Sequence, residues 1–242
     1  MNFIERNIKK TLRKFGILIR YYSPSSSEEE RRFRLIIHHN IDLVFDAGAN
    51  TGQFALSLID SGYKNKIVSF EPLSAAYKTL VKESKKYSNW EVTPRCALGN
   101  DNREMEINIS KNSVSSTLLD MLDTHLQGAP ESEIIGKEKA SMFKLDYIGK
   151  EYINSNNVYL KIDAQGYEYE VLLGSQEVFP NIKGIELEMS LEPLYRDQDW
   201  LFPNVLDYMK KNEFVLHSIS PAFVDFNTGK VLQYNGIFFR RH

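Results

Sequence analysis

The feature that most restricts the fold is a pair of strand-length apolar runs, IDLVFDAG at residues 41–48 and NVYLKIDAQG at 157–166, each closing on an acidic residue and a turn with glycine. Neither run alternates apolar with polar residues, which is the pattern of a strand covered on both faces. Helical stretches follow both. GQFALSLIDSG reaches Gly62 and YEYEVLLGS passes Gly174, glycines standing where helix ends favour them.

The rest of the chain continues the alternation. A helix is expected from about residue 28 to 39, KIVSFEP is a strand stopped by Pro72, and SAAYKTLVKESKKY is a helix with Ser74 as its N-cap. WEVTPRCALG reads as a third strand in which Pro94 requires an edge position or an early end. EMEINIS and SMFKLDYI are expected as short strands, IKGIELEMS as a longer one, and WLFPNVLDYMKKN as a helix starting near Pro203. FVLHSIS and VLQYNGIFFRR form a terminal pair joined through FNTGK. Residues 110–140 have no clean period and are read as a substrate-side insertion or flap. Strands alternating with helices predict an α/β, Rossmann-like, doubly wound, mostly parallel sheet, and the helix-free final pair predicts an antiparallel last strand.

Composition narrows the class. With 42% hydrophobic and 26% charged residues over 242 positions, the chain reads as a globular domain at 28–242 preceded by an extension at 1–27. The single cysteine, Cys96, requires no oxidising compartment, so the cytoplasm is the expected location. A net charge of -2 gives no general attraction to nucleic acid, and no Cys/His spacing of a metal site is present. Before position 21, Arg6, Lys9, Lys10, Arg13, Lys14 and Arg20 face only Glu5, and Ile4, Ile8, Leu12, Phe15 and Ile19 recur at helical spacing. Two roles fit this basic amphipathic helix over residues 1–20. One is weak contact with an anionic membrane, peripheral at its inner face; the other is packing on the domain or on another subunit of a homo-oligomer.

The strand ends carry the chemistry. In an open parallel sheet the ligand lies beyond the carboxyl ends of the strands, and Asp46, Glu71, Asp163 and one of Glu186 or Glu188 are expected there. Glu186 and Glu188 are read as pointing to opposite sides, so that at most one serves the site. Gly48 and Gly52 would allow positive φ and close approach of backbone to a ligand, with N–H groups at the helix start offered to an anion. Glu71 is placed to accept hydrogen bonds from both hydroxyls of a ribose. The order D-A-G-A-N-T-G lacks the G-x-G-x-x-G spacing, and Asp46 would repel a pyrophosphate. A nucleoside bearing an ammonium or sulfonium cation suits it better, and S-adenosyl-L-methionine has these groups.

These segments resemble the class I S-adenosylmethionine methyltransferases and, within them, the FkbM family, over about residues 42–242. VFDAGANTGQF is similar to that family's first motif, VSFEP to its second and CALGN to its third-strand segment. FKLDYI and GIELEMS resemble the segments flanking its long signature, which is matched by VYLKIDAQGYEYEVLLG. The resemblance implies a seven-stranded sheet and methyl transfer, most often to a hydroxyl, with a sugar, glycan or other small molecule as acceptor. It implies that Asp46, Gly48, Asn50 and Gly52 surround the methionine part of the cofactor, that Glu71 holds the ribose, that Ala97 and Leu98 lie against adenine, and that Ala49, Thr51 and Pro72 also belong to the cofactor site. Asp163 would lie near the sulfonium or the acceptor, and Gln165 stands where many members have glutamate.

For a general base Asp163 is the first candidate, the alternative being that it caps the following helix or orients Lys161; His125 is the second, the alternative being a solvated loop residue. His38, His39 and His217 are expected to be structural, Tyr167 and Tyr169 to pack, and SVSST at 113–117 to be a polar loop, the alternative being an approach to the cofactor or acceptor. A nicotinamide-dependent reductase or epimerase is the rival enzyme, but Tyr147 and Lys150 have the wrong spacing for its Tyr-x-x-x-Lys pair. A nucleoside-binding module without turnover is the rival outside catalysis.

Overall fold

The double-sided burial expected of the apolar runs is realised in a seven-stranded sheet in the computed structural model, which describes residues 3–153 and 157–241. The chain opens with α1 (Phe3–Lys14) and α2 (Glu28–His38), then alternates β1 (Leu43–Ala47), α3 (Gln53–Asp60), β2 (Lys66–Phe70), α4 (Ser74–Ser84) and β3 (Trp90–Val92). There follow β4 (Cys96–Leu98), β5 (Arg103–Ser110), α5 (Asp123–Gly128), β6 (Ile134–Phe143) and α6 (Leu145–Ile148). Alternation resumes with β7 (Val158–Ile162), α7 (Glu168–Leu173), β8 (Ile182–Ser190) and α8 (Phe202–Lys211), ending in β9 (Phe214–Val224) and β10 (Val231–Arg240).

The sheet order is β3-β2-β1-β7-β8-β10-β9. β10 lies between β8 and β9 and runs antiparallel to both, while the other pairs are parallel. All five residues of β1 are buried. Leu43, Phe45 and Ala47 enter one core with Val68 and Leu160, whereas Val44 enters the other with Ile67 and Tyr159, as the two-residue period of a strand requires. From β1 the strand order runs one way through β2 to β3 and the other way from β7, so the order reverses between β1 and β7. Their carboxyl ends are neighbours there, with Ala47 opposite Ile162 and the Asp163 N–H donating to the Ala47 carbonyl at 3.1 Å. This reversal is where such a sheet opens a crevice.

Several local expectations change. The N-terminal helix stops at Lys14, because Gly16 at φ 73° turns the chain: Gly16 and Ile17 donate to the Arg13 and Leu12 carbonyls, the pairing of a left-handed helix end. The side chains of Ile4, Glu5 and Arg6 lie outside the described residues. WEVTPRCALG is two short strands, with β3 on the edge of the large sheet and β4 in a second sheet of order β4-β6-β5, divided at Pro94. SMFKLDYI holds the end of β6 and then α6, whose Asp146 accepts the N–H groups of Glu177 and Val178. Ser74 is the first residue of α4, not its cap. Its N–H is met by Glu138 from β6, a long-range partner that sequence spacing does not show.

Candidate active site

The turn after β1 is fixed from within. Gly48 has φ 73°, and a Cβ there would lie 1.9 Å from the Asp163 carbonyl oxygen; at Gly52, with φ 100°, it would lie 2.4 Å from the Trp90 ring. Both glycines are therefore required by neighbouring protein atoms. The turn's N–H groups are also committed. Those of Gly48 and Ala49 donate to the Phe70 carbonyl, that of Asn50 to Glu71, that of Thr51 to the Asn50 side chain, and that of Gly52 to the Ala49 carbonyl. An anion would meet the first turn of α3 instead, where helix geometry leaves N–H groups unpaired.

A cavity of about 410 Å³ opens at the reversal point. Gly48, Ala49, Asn50, Glu71, Pro72, Ala97, Leu98 and Asp163 all line it, whereas Asp46, Thr51, Gly52 and His125 do not. Ala97 and Leu98 come from β4 and Ile107 from β5, so the second sheet supplies an apolar wall. Glu71 stands between this wall and the first turn. Its Oε2 accepts the Asn50 N–H and its Oε1 the Leu73 N–H, both at 2.7 Å, which leaves one lone pair on each oxygen for a diol. Burial pushes its carboxyl up to about 7, against the pull of those two N–H groups.

Asp46 is fully buried and serves Lys161. The ammonium nitrogen lies 3.2 Å from Asp46 Oδ1 and 3.5 Å from Asp163 Oδ2, and donates to the Gly48 carbonyl at 3.2 Å; Ser69 donates to Asp46 Oδ2. Burial alone would depress the lysine, but Asp46 and Asp163 outweigh it and hold its pKa above the ordinary value. Asp46 thus holds a cation that belongs to the protein itself.

The turn after β7 is a polar clamp. Gln165, at φ 51°, donates from Nε2 to Asp163 Oδ1 at 2.7 Å and to Glu188 Oε2 at 3.2 Å, and its Oε1 accepts the Tyr195 hydroxyl at 2.9 Å. An amide can do all of this at once, because it is donor and acceptor together. Glu168 pins the same turn by accepting the N–H groups of Ala164 and Gly166, and burial pushes its carboxyl up to about 7. Burial, reinforced by Asp163 and Glu168, also raises Glu188 well above the carboxylate range.

The opposite end of the cavity is built by distant segments. Arg32 of α2 makes a two-point contact with Glu186 of β8 at 2.7 and 2.6 Å, and its Nη2 also donates to Glu28 at 2.8 Å. Tyr159 donates to Glu186 and Asn235 to Glu28. Glu29, Arg32, Gln53, Phe54 and Asn235 line the cavity beside Glu186 and Glu188. The expectation that at most one of these two glutamates serves the site is corrected: residues two apart in a strand share a face, and both reach the cavity. Sequence reasoning missed Arg32, Glu29 and Asn235. The EEERR run of α2 read only as a helix start, although its i,i+4 pairing of Glu28 with Arg32 was visible.

Ser113, Val114, Ser116 and Thr117 line the cavity, and Thr117 donates to the Gln165 carbonyl at 2.7 Å, so the SVSST loop is part of the cavity wall. Tyr167 also lines the cavity, while Tyr169 packs on Trp200. His125 is neither solvated nor at the cavity. It lies buried in α5 against Tyr195 and Phe223, and burial pushes it down to about 4. His39, at the end of α2, stacks on Phe239 of β10 and meets His38 and His217 edge-on, a packing cluster. Tyr147 and Lys150 stand outside the cavity.

A seven-stranded sheet with this order, a reversed strand inserted beside the last, and a cavity at the reversal point define the class I methyltransferase fold. The model of the methyltransferase FkbM domain matches residues 46–216, and the chain belongs to that family. No curated protein matches the sequence. Among solved structures, a methyltransferase FkbM from Methylobacillus flagellatus KT is similar at 15% identity and TM-score 0.49, over 83% of this chain and 44% of that one. The chain therefore spans less than half of that protein's length. An rRNA methylase from Streptococcus thermophilus is similar at 10% identity and TM-score 0.46, over 93% and 100% of the two chains. A putative tRNA (m1A22) methyltransferase from Streptococcus pneumoniae, in complex with S-adenosyl-L-methionine, is similar at 11% identity and TM-score 0.42, over 87% and 72%. Glu29, Arg32 and Asn235 lie outside the matched segment.

Proposed function

We propose that the chain is an S-adenosyl-L-methionine-dependent O-methyltransferase whose acceptor is a neutral, hydroxyl-rich small molecule such as a sugar or glycan. The observation that carries the acceptor class is the commitment of both cationic side chains at the cavity. Arg32 is held by Glu186 and Glu28, and Lys161 by Asp46 and Asp163. Among the described residues lining the cavity, no further Lys or Arg is left to meet a phosphate, while Glu29, Gln53, Glu188 and Asn235 offer the donors and acceptors that hydroxyl groups require.

The residues fit the cofactor. Glu71 has free lone pairs for a ribose diol, Leu98 and Ile107 supply an apolar wall for a purine, and the first turn of α3 is open to a carboxylate. S-adenosyl-L-methionine would supply an electrophilic methyl carbon, so the protein's task is to align an acceptor oxygen and remove its proton. Asp163 is the residue proposed for that proton. It is part-exposed to the cavity, and Gln165 and Lys161 fix its orientation. A lone, buried Cys96 is in keeping with a cytoplasmic enzyme.

Calorimetric titration with S-adenosylhomocysteine and with NAD tests the cofactor. Preferential binding of NAD would overturn the proposal. Asp163→Asn then tests the base with labelled cofactor and a panel of hydroxylated acceptors: transfer is expected to fall about 100-fold or more with cofactor affinity retained. Transfer at the wild-type rate would remove Asp163 from the role.

A further inference from the structure

We infer that residues 8–22 form a docking segment for an anionic lipid surface, adjoining the acceptor end of the cavity. The inference is independent of which reaction the cavity performs. Beyond Gly16 the chain FGILIRYY does not fold back onto the sheet. Phe15, Leu18, Ile19, Tyr21 and Tyr22 are each more than half exposed, with Phe15 at 76% and Tyr21 at 85%, and Ile8 on α1 is 54% exposed. Scattered exposed apolar residues are ordinary, but here they are crowded into one short stretch of chain.

The charges beside them select the partner. Lys10, Arg13, Lys14 and Arg20 are exposed in the same stretch, and no acidic residue occurs between Arg6 and Ser27. The acidic run that follows is directed elsewhere: Glu28 pairs with Arg32, Glu29 accepts the Ser27 hydroxyl, and Glu30 pairs with Arg34. The segment is thus cationic although the chain as a whole carries -2, and screening over about 8–10 Å makes the local charge decide. Apolar and aromatic side chains interleaved with Lys and Arg suit the headgroup boundary of an anionic bilayer, where rings and aliphatic chains insert and the cations stay with the headgroups. No helix among the described residues is long and apolar enough to cross a membrane, so the mode is peripheral.

Position gives the segment a use. Tyr22 is seven residues before Glu29, the first cavity-lining residue of α2. A fully extended chain of that length reaches at most about 25 Å, so a docked segment keeps the acceptor end close to the surface.

Co-sedimentation of the whole protein with vesicles decides the matter. Vesicles of about 30% phosphatidylglycerol in phosphatidylcholine, in low salt, are expected to pull down the protein. Pure phosphatidylcholine, or salt near 0.5 M, should weaken binding at least ten-fold. Lys10→Glu/Arg13→Glu/Lys14→Glu and, separately, Phe15→Ser/Leu18→Ser/Ile19→Ser should each lose binding at least ten-fold with an unchanged thermal midpoint, since the altered side chains are exposed. Absence of binding to anionic vesicles would overturn the inference, as would equal binding of the charge-reversed variant. A dimer in light scattering that needs Phe15, Leu18 and Ile19, without vesicle binding, would assign the stripe to a second copy instead.

Discussion

The two ends of the cavity are built on different principles. At the Glu71 end nearly every contact is made between the ends of β1, β2 and β7 and the short turns that follow them, and the geometry is locked by backbone: Gly48 against the Asp163 carbonyl, Asn50 against Glu71. At the Arg32 end the contacts join α2, β8 and β10, and they are side chain to side chain, with Arg32 and Glu186 separated by 154 positions. The first kind of site tolerates little variation in backbone. The second can be rewritten by exchanging a few side chains, and its Arg32, Glu29 and Asn235 lie outside the segment matched by the family model.

Lys161 ties the turns after β1 and β7 together, and removing it is expected to have the largest effect. Lys161→Met leaves Asp46 fully buried with no cation, a change that costs roughly 3–5 kcal/mol when one partner of a buried pair is lost. Thermal denaturation should show a midpoint lower by about 6–20 °C. Adding Asp46→Asn, which removes the charge, should recover part of the loss. No recovery in the double variant would mean that the two side chains are not energetically paired.

Arg32→Met separates the ends. It strands Glu186, whose side chain is 5% exposed, and about 3 kcal/mol of stability should be lost. The affinity for S-adenosylhomocysteine, measured by calorimetry under conditions where the variant is folded, should stay within about two-fold, because Arg32 gives its hydrogen bonds to Glu186 and Glu28 and meets α3 only by stacking on Phe54. A loss of ten-fold or more would show that the ends are coupled and that the contrast fails.

How much of this was legible in the sequence follows the same division. The Asp46–Gly52 turn, Glu71 and the Asp163 turn were readable because each closes an apolar run and its neighbours lie close along the chain. The role of Asp46 was not: a carboxylate at a strand end looks the same whether it faces a ligand's cation or Lys161, which sits on an adjacent strand 115 positions away. WEVTPRCALG hid two strands in two sheets because three-residue strands carry too little pattern to show a change of partner. SMFKLDYI alternates like a strand, yet Asp146 is held by N–H groups at 177 and 178, and α6 results. The places of Ser113 and Thr117 beside the turns after β1 and β7, and of Arg32 and Asn235 at the other end, rest on tertiary contacts, for which local spacing has no signal.

Glu71 gives the Glu71 end a pH signature. Its carboxyl is pushed up to about 7 by burial, and the ribose diol of the proposed cofactor would donate to the ionised form, so that binding would lower that pKa. Affinity for S-adenosylhomocysteine should therefore be constant above about pH 7 and fall as pH drops below it, approaching ten-fold per pH unit. Glu71→Gln should weaken binding at pH 8 and flatten the profile below 7. An unchanged slope in Glu71→Gln would assign the titration to another group, with Glu168, also near 7, the first to examine.

The smallest effect at neutral pH is expected from His125, and it sharpens the contrast by testing a residue that belongs to neither end. Buried among Tyr195 and Phe223, its Nδ1 meets no hydrogen-bond partner among the described residues, so His125→Leu should change stability by no more than about 1 kcal/mol at pH 7.5. The sign reverses the usual histidine case. Burial holds the folded imidazole down at about 4, whereas the unfolded one titrates near 6.5, so its contribution is complete above 6.5 and is lost as pH falls toward 4, by up to about 3 kcal/mol. Glu71 and Glu168, raised by burial, run the other way, losing stability as pH rises through 7. Subtracting the melting profile of His125→Leu from that of the native chain cancels those carboxyls and leaves the histidine alone. The difference should be flat above pH 6.5 and should move in favour of the leucine variant below it. If methyl transfer fell while stability at pH 7.5 and cofactor affinity stayed intact, the histidine would have to act on the cavity through Tyr195, which it touches and which donates to Gln165, and the clamp after β7 would extend as far as α5.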